Sequence, residues 1–309
     1  MSNCALPIMV TGASGFIGNH VARLIQASGR RVIGTDIARP ANHGEQDFSF
    51  VQADVRDFPR HTAIVAAGCA GIIHCGGISG PMLGVDNPAD VIDINVRGTV
   101  QLLELARIYG LRRFVGCSSV SAYGSQPGLE SIDEQTPLGA STVYGSSKAA
   151  GDLLTQTYAS QFNLSATTLR IGWVYGPGRR TDAILRPMIR SGYGAPPYQL
   201  ANGADQMLQF VHVDDVAAAM IAAFEAPVLP RAAYNINGAE PLSLAAIAAI
   251  VRQSVPDAKI GLGPGPLPDT DRQGPMVLDA AADDFGWRPA VAFHEGVSRY
   301  ADWLKENDY

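Results

Sequence analysis

Apolar and polar positions follow a repeating order through the first half of the chain. Short apolar runs end in glycine, serine or aspartate. Stretches with apolar residues three and four apart come after them. The run from Ile8 to Thr11 reads as a strand, and the segment from Phe16 to Ser28 reads as a helix. Phe16, Ile17, Val21, Leu24 and Ile25 lie near helical spacing, and Gly29 supplies the stop. Further strands are predicted over Arg31 to Thr35, Phe50 to Gln52, Gly71 to His74, Arg113 to Cys117 and Ser165 to Arg170. Long helices are predicted from Pro88 to Tyr109 and from Tyr144 to Phe162. Repeated strand–helix units of this kind build an α/β fold, a doubly wound parallel sheet with helices on both faces.

The pattern loosens after Arg170. Prolines and glycines crowd residues 176–178 and 192–197. A strand and helix return over Gln209 to Glu225. A strand at Tyr234 to Ile236, a helix at Leu244 to Val255, a strand near Lys259 to Leu262 and a last helix from His294 to Glu306 follow. Residues 261–275 read as a loop. The expected organisation is a nucleotide-binding domain over 1–170, rejoined by 209–226, and a smaller discontinuous lobe made of 171–208 and 227–309.

The first strand opens into a turn with glycines three and three apart, at Gly12, Gly15 and Gly18. Glycine lets backbone approach a phosphate, and the following helix start offers unpaired N–H groups and the positive end of a dipole. Asp36, at the end of the second predicted strand, is placed to accept hydrogen bonds from an adenosine ribose and to repel a 2′-phosphate. That favours NAD over NADP, with Arg39 nearby as the complication. Asp54 ends the third strand and has two readings, an acceptor for the adenine amino group or a cap on the next helix.

Tyr144 and Lys148 lie four apart on one helical face. An ammonium one turn from a phenol stabilises the phenolate that proton abstraction needs. Ser119, in the serine cluster after the fifth strand, supplies a hydroxyl to hold a substrate oxygen.

The chain resembles the extended short-chain dehydrogenase/reductase family, the NAD-dependent epimerase/dehydratase group. The resemblance rests on Thr11-Gly12-Ala13-Ser14-Gly15-Phe16-Ile17-Gly18, Asp54-Val55-Arg56-Asp57, Asn95-Val96-Arg97-Gly98-Thr99, Ser118-Ser119-Val120-Ser121-Ala122-Tyr123-Gly124 and Tyr144-Gly145-Ser146-Ser147-Lys148. It extends through Val174-Tyr175-Gly176-Pro177, Phe210-Val211-His212-Val213-Asp214-Asp215 and Gly286-Trp287-Arg288-Pro289. It implies a Rossmann-type sheet, bound NAD, and hydride transfer from a secondary carbinol of a carbohydrate-like substrate. It implies Ser119, Tyr144 and Lys148 as the catalytic set. The cofactor set is Gly12, Ser14, Gly15, Phe16, Ile17, Gly18, Asp36, Asp54, Val55, Cys75, Gly76, Gly77 and Asn95, with Tyr144 and Lys148 at the nicotinamide ribose. The substrate side is Ser79, Ser119, Ser121, Tyr144, Trp173 and Arg179. The two long helices resemble the pair that this family uses in homodimers.

The departures bear on the substrate. Dehydratases of the group carry an acidic pair after the catalytic hydroxyl; here those positions are Val120 and Ser121. Trp173 and Leu208 stand where nucleotide-sugar epimerases place an asparagine and an arginine on the diphosphate. A diphosphate without polar partners is costly to desolvate. The His74-Cys75-Gly76-Gly77-Ile78-Ser79 loop is similar to that of uronate dehydrogenases, which oxidise free sugar acids, and Arg170-Ile171-Gly172 is similar to the same group. Arg179 and Arg180 are either an anion-binding pair or a solvated loop pair.

The expected function is therefore NAD-dependent oxidation of a secondary alcohol on a sugar-like or polyhydroxy-acid substrate, by a dehydrogenase or epimerase. A nucleotide-sugar 4-epimerase with tightly bound NAD is the alternative. A non-catalytic NAD-binding regulator is the alternative of another class, and the intact Tyr144 and Lys148 oppose it.

Composition adds exclusions. With 309 residues and a net charge of −6, the chain has no basic run suited to nucleic acid or a membrane surface. No apolar run spans a bilayer and no leader pattern opens the chain, so a cytoplasmic protein is expected. Cys4, Cys69, Cys75 and Cys117 have no metal-site spacing and read as free thiols; no metal is expected. His212, Asp214 and Asp215 read as structural, with an aspartate capping the next helix, and Trp287 and Trp303 as packing.

Overall fold

The computed structural model describes residues 6–39, 49–126, 128–181, 183–268 and 270–307. Cys4 lies outside them.

The first half alternates strand and helix: β1 (Ile8–Thr11), α1 (Phe16–Ala27), β2 (Val32–Asp36), β3 (Ser49–Gln52), α2 (Phe58–Ala66), β4 (Gly71–His74), α3 (Pro88–Ile92), α4 (Gly98–Ile108), β5 (Arg113–Ser119), α5 (Val143–Phe162) and β6 (Ala166–Ile171). The second half holds β7 (Trp173–Tyr175), α6 (Leu185–Arg190), β8 (Tyr198–Leu200), β9 (Met207–His212), α7 (Val213–Glu225), β10 (Ala233–Ile236), β11 (Pro241–Ser243), α8 (Leu244–Ser254), β12 (Ile260–Leu262), α9 (Asp279–Phe285) and α10 (Phe293–Glu306).

Seven parallel strands form the main sheet in the order β10-β6-β5-β4-β1-β2-β3. The chain winds outward from β1 in both directions, so the order reverses between β1 and β4. Ligands of such sheets bind outside the strand ends at that reversal. Residues of β1 and β4 are fully buried, which explains their unbroken apolar runs. One face of the sheet packs on α1 and α7 through Val21, Ile25, Val216, Met220 and Phe224; the other packs through Ile72, Leu102, Leu103 and Phe114.

Four differences from the sequence expectation matter. Ala233–Ile236, expected in the lobe, pairs with β6 and is the seventh strand of the main sheet. β9, expected to rejoin the first domain, pairs with β7 and β11 in a separate three-stranded sheet, while the helix after it packs against α1. The long helix from Pro88 runs through a π-helical segment at Asp93–Arg97 that joins α3 to α4. The 261–275 segment is tied down: Gln126 N–H bonds the Arg272 carbonyl at 2.8 Å, Ile132 N–H bonds Pro275 at 2.9 Å, and Gln273 Nε2 donates to the carbonyls of Val120 and Gly124 at 2.9 Å.

The second cluster of buried apolar residues lies between the three-stranded sheet, α8 and α10, with Tyr175, Phe210, Leu244, Val251, Val297 and Tyr300 at its centre. Trp287 sits instead in the main core and donates to the Asp215 carbonyl at 3.0 Å. Trp303 packs against Tyr300, ring centroids 6.2 Å apart.

Candidate active site

The glycine turn is built by steric need. Gly12 has φ +67°, and a Cβ there would lie 2.7 Å from the Cys75 carbonyl carbon and the Gly76 nitrogen. A Cβ on Gly18 would lie 2.1 Å from the Gly12 carbonyl oxygen. Gly15 caps α1, its N–H bonding the Gly12 carbonyl at 2.9 Å. The turn therefore closes directly on the β4 exit, at the strand-order reversal. Ser14 N–H donates to Asp36 Oδ2 at 3.0 Å, which holds the carboxylate of β2 beside the turn. A helix N-terminus whose approach no Cβ obstructs, with a carboxylate at the next strand end, fits a dinucleotide: phosphates on the turn, ribose hydroxyls on Asp36. Arg39 is turned aside, its guanidinium 5.4 Å from the Phe50 ring centroid.

Asp54 does not cap α2; Asp57 does, accepting from Arg60 N–H at 3.2 Å. Asp54 is gripped by Arg56 through Nε at 2.9 Å and Nη2 at 2.8 Å, and that hydrogen bonding holds its carboxyl below the usual carboxylate range. Val55 packs against the positions where Gly76 and Gly98 lack side chains.

Asn95, expected on the cofactor, braces the 76–79 loop. Its Oδ1 accepts from Ile78 N–H at 2.8 Å, and its Nδ2 donates to the Ile78 carbonyl and Ser147 Oγ, both at 3.0 Å. The side chain is buried and joins the 76–79 loop to α5 one residue before Lys148. His74 makes a similar link, between Thr11 Oγ1 at 2.7 Å and Thr99 Oγ1 at 3.1 Å. Burial drives its pKa down to about 3, so it is neutral.

A cavity of about 480 Å³ opens beyond the ends of β1, β4, β5 and β6. Ile17, Cys75, Gly77, Ser79, Ser119, Ser121, Tyr144, Lys148, Trp173 and Arg179 all line it, so the expected catalytic and substrate residues converge. Gly12, Ser14, Gly15, Phe16, Gly18, Asp36, Asp54, Val55, Gly76 and Asn95 stand outside it, toward the glycine turn or behind the wall. Thr142 caps α5 by accepting from Gly145 N–H at 3.0 Å, which sets Tyr144 in the first turn facing the cavity. Lys148 Nζ lies 5.8 Å from the Tyr144 ring centroid and donates to the Cys117 carbonyl at 3.0 Å. Ser119 Oγ accepts from Ser121 N–H at 3.2 Å, which leaves its own proton to donate to a substrate oxygen.

Arg179, expected on the substrate side, lines the cavity. One guanidinium nitrogen bonds the Val174 carbonyl, Nε is buried without a partner, and the group lies 5.9 Å from the Phe16 ring centroid. No carboxylate among the described residues pairs with it. Burial lowers its pKa, an effect that Tyr300 and Tyr144 oppose in part. Arg180 is exposed and outside the cavity, so the two arginines are not an equivalent pair. Trp173 and Leu208 join the apolar cluster around Phe210, Leu242 and Leu244, with Trp173 and Phe210 centroids 6.1 Å apart.

Thr270, Asp271 and Gln273 also line the cavity and were not found from sequence. Asp271 accepts from Ser125 Oγ and Ser141 Oγ, both at 2.9 Å. These residues come from a loop without periodicity, placed by contacts more than a hundred residues away in sequence. His212, not an aspartate, caps α7: its Nδ1 accepts from Asp214 N–H at 3.3 Å. Asp215 accepts from Ala290 and Val291 N–H at 3.0 and 3.1 Å, and Asp214 faces His20 at 3.0 Å. Among the described residues no group of three or more His, Cys, Asp or Glu side chains is placed to hold a metal, and no helix is long and apolar enough to cross a membrane.

Residues 8–237 match the family described as "NAD dependent epimerase/dehydratase family". The chain is 27% identical to a UDP-glucuronate 4-epimerase of Thermodesulfobacterium geofontis, over 97% of this chain and 96% of the relative. It is 26% identical to Protein CapI of Staphylococcus aureus, over 97% and 99%. Its fold is similar to that of Thermotoga maritima UDP-glucose 4-epimerase solved with UDP-glucose, with a TM-score of 0.88 at 22% identity over 97% of this chain and 99% of that one. It is similar to Thermus thermophilus UDP-glucose 4-epimerase solved with NAD, with a TM-score of 0.84 at 26% identity over 97% and 99%.

Proposed function

The chain belongs to the NAD-dependent epimerase/dehydratase family, is an NAD-dependent enzyme of the extended short-chain dehydrogenase type, and, we propose, oxidises a secondary carbinol on a sugar-like substrate that carries an anionic group. One observation carries the anionic part: Arg179 brings into the cavity a guanidinium that pairs with no carboxylate among the described residues and whose Nε has no partner. A desolvated cation without a carboxylate partner is costly, and a substrate carboxylate or similar anion offsets that cost on binding.

NAD supplies the hydride acceptor when bound. Gly12, Gly15 and Gly18 hold its phosphates and Asp36 its adenosine ribose. Tyr144 takes the substrate hydroxyl proton. Ser119 donates to the same oxygen and fixes its orientation. Lys148 keeps two Nζ hydrogens free after bonding Cys117, one for the nicotinamide ribose and one toward Tyr144. Ser79, Ser121 and Trp173 shape the substrate side. Residues 171–208 and most of 237–307 make the smaller lobe over the cavity.

Free sugar acids are the first substrate class, because Trp173 in the cavity wall, in one apolar cluster with the buried Leu208, offers no polar partner where a diphosphate needs one. A nucleotide-sugar 4-epimerase is the second reading, supported by the names of relatives 27–28% identical over nearly the whole chain. The protein is also proposed to act in a reducing cytoplasm, where Cys69, Cys75 and Cys117 stay free thiols. It is proposed to pair with a second copy through α4 and α5, which expose Ile108, Leu153 and Phe162.

The test is a substrate panel run on the natural protein and on Arg179→Met. Net NAD reduction with sugar acids, with KM raised on the order of 100-fold by Arg179→Met and kcat changed less, supports the proposal. Turnover of nucleotide sugars alone, without net NAD reduction, replaces it with the second reading.

A further inference from the structure

Two thiols stand side by side in the cavity wall. His74 of β4 pairs with Gly116 of β5, so Cys75 and Cys117 follow next in register on neighbouring parallel strands. Residues paired across parallel strands point to the same sheet face. Cys75 N–H still bonds the Thr11 carbonyl at 3.2 Å, so the position is held in the sheet. Neighbouring strands lie about 4.8 Å apart, inside the range of about 4.4–6.8 Å between Cα atoms that a disulfide spans. Both thiols are free and both line the cavity, and the Cys117 thiol lies 3.8 Å from Met220 Sδ.

Their surroundings differ. Hydrogen bonding from Cys75 and the positive charge of Lys148 bring the Cys117 thiol below its ordinary value. The same bond and burial raise Cys75. Cys69 is buried elsewhere, with its thiol donating to the Gly71 carbonyl at 3.1 Å. A cysteine whose thiol is shifted down and reachable from a cavity, with a second thiol next in register, is the arrangement of a redox-sensitive pair.

We propose that Cys75 and Cys117 are a modification site, a dithiol that peroxide oxidises to an intrachain disulfide and thereby weakens NAD binding. In the first step the Cys117 sulfur attacks one peroxide oxygen. The O–O bond breaks, Cys117 becomes a sulfenic acid, and the departing hydroxide takes a proton to form water. In the second step the Cys75 sulfur attacks Cys117 Sγ. An S–S bond forms, the S–O bond breaks, and the released hydroxide leaves as water with the Cys75 proton. Two thiols and one hydrogen peroxide give one disulfide and two waters. Binding weakens because Cys75 opens the Gly76-Gly77 segment against which Gly12 closes, and the Cys117 carbonyl holds Lys148. Drawing the two residues together shifts both.

The experiment uses the full-length protein treated with hydrogen peroxide, alkylated and mapped by peptide mass, with NAD affinity measured by calorimetry in parallel. Both readouts are independent of substrate. The expected result is a Cys75–Cys117 linked peptide that dithiothreitol reverses, and a roughly tenfold or greater loss of NAD affinity that reverses with it. Cys75→Ser and Cys117→Ser, each compared with its own untreated sample, lose the peroxide response. The proposal is overturned by linkage to another cysteine or overoxidation without a 75–117 link. It is also overturned by a linked protein of unchanged NAD affinity, or by a peroxide response that persists in both variants.

Discussion

Arg170 donates through Nε to Asp152 Oδ2 at 2.7 Å, and both side chains are buried. The bond joins β6 to α5 one turn beyond Lys148. The same guanidinium reaches Tyr123 Oη at 2.8 Å and the Glu134 carbonyl at 2.9 Å, and Tyr123 donates to Asn235 Oδ1 at 2.7 Å. The network fixes the serine segment relative to the tyrosine helix from behind the cavity. Arg170 is thus a positioning residue.

Breaking that pair leaves a buried charge unpaired. Arg170→Met is expected to lose about 3–5 kcal/mol of folding stability. Urea unfolding checks this; a change within experimental error would remove the network from the account of the site.

The glycine turn separates two alanine substitutions. In Gly18→Ala the new Cβ would sit 2.1 Å from a backbone oxygen that cannot move without opening the turn. NAD affinity should fall at least 100-fold, with stability lowered by about 1–3 kcal/mol. In Gly15→Ala the nearest atom is 3.1 Å away at an ordinary backbone conformation, and the loss should be under tenfold. Calorimetric titration with NAD compares the two, and equal losses would contradict the close-approach reading.

The doubly wound sheet and the convergence of Ser119, Tyr144 and Lys148 were legible because each depends on local pattern. A strand's burial shows in its apolar run, and residues four apart on a helix share a face. The Arg170 network was not legible, since a buried arginine and a solvated one look alike in sequence. The bracing bonds of Asn95 were not legible either, since they depend on the 76–79 loop coming to lie beside α5. The apolar setting of Trp173 and Leu208 was suggested by side-chain type, but the unpaired state of Arg179 depends on what fails to approach it in space.

Acid should destabilise the protein through His74. Its folded pKa of about 3 lies below the ordinary 6.5. Below pH 6.5 the unfolded chain takes up a proton that the folded one refuses, so stability falls as pH drops. The slope from this group is about 1.4 kcal/mol per pH unit, and it ends near pH 3, where the folded form also protonates. His61 and His212 are shifted the same way by burial and add to the trend. Thermal unfolding between pH 7 and pH 4.5 should show a shallower decline for His74→Gln than for the natural protein. Parallel declines would rule out His74 as a contributor.

The central claim is that Tyr144 removes the substrate proton while the glycine turn and Asp36 hold NAD. Tyr144→Phe removes one oxygen from the cavity wall and leaves the turn untouched. Single-turnover reduction of NAD by the best substrate of the panel, with NAD affinity measured on the same samples, tests it most directly. The expected result is a rate at least 1,000-fold lower with affinity unchanged within threefold. A rate within tenfold of the natural protein would contradict the assignment of Tyr144 as the base.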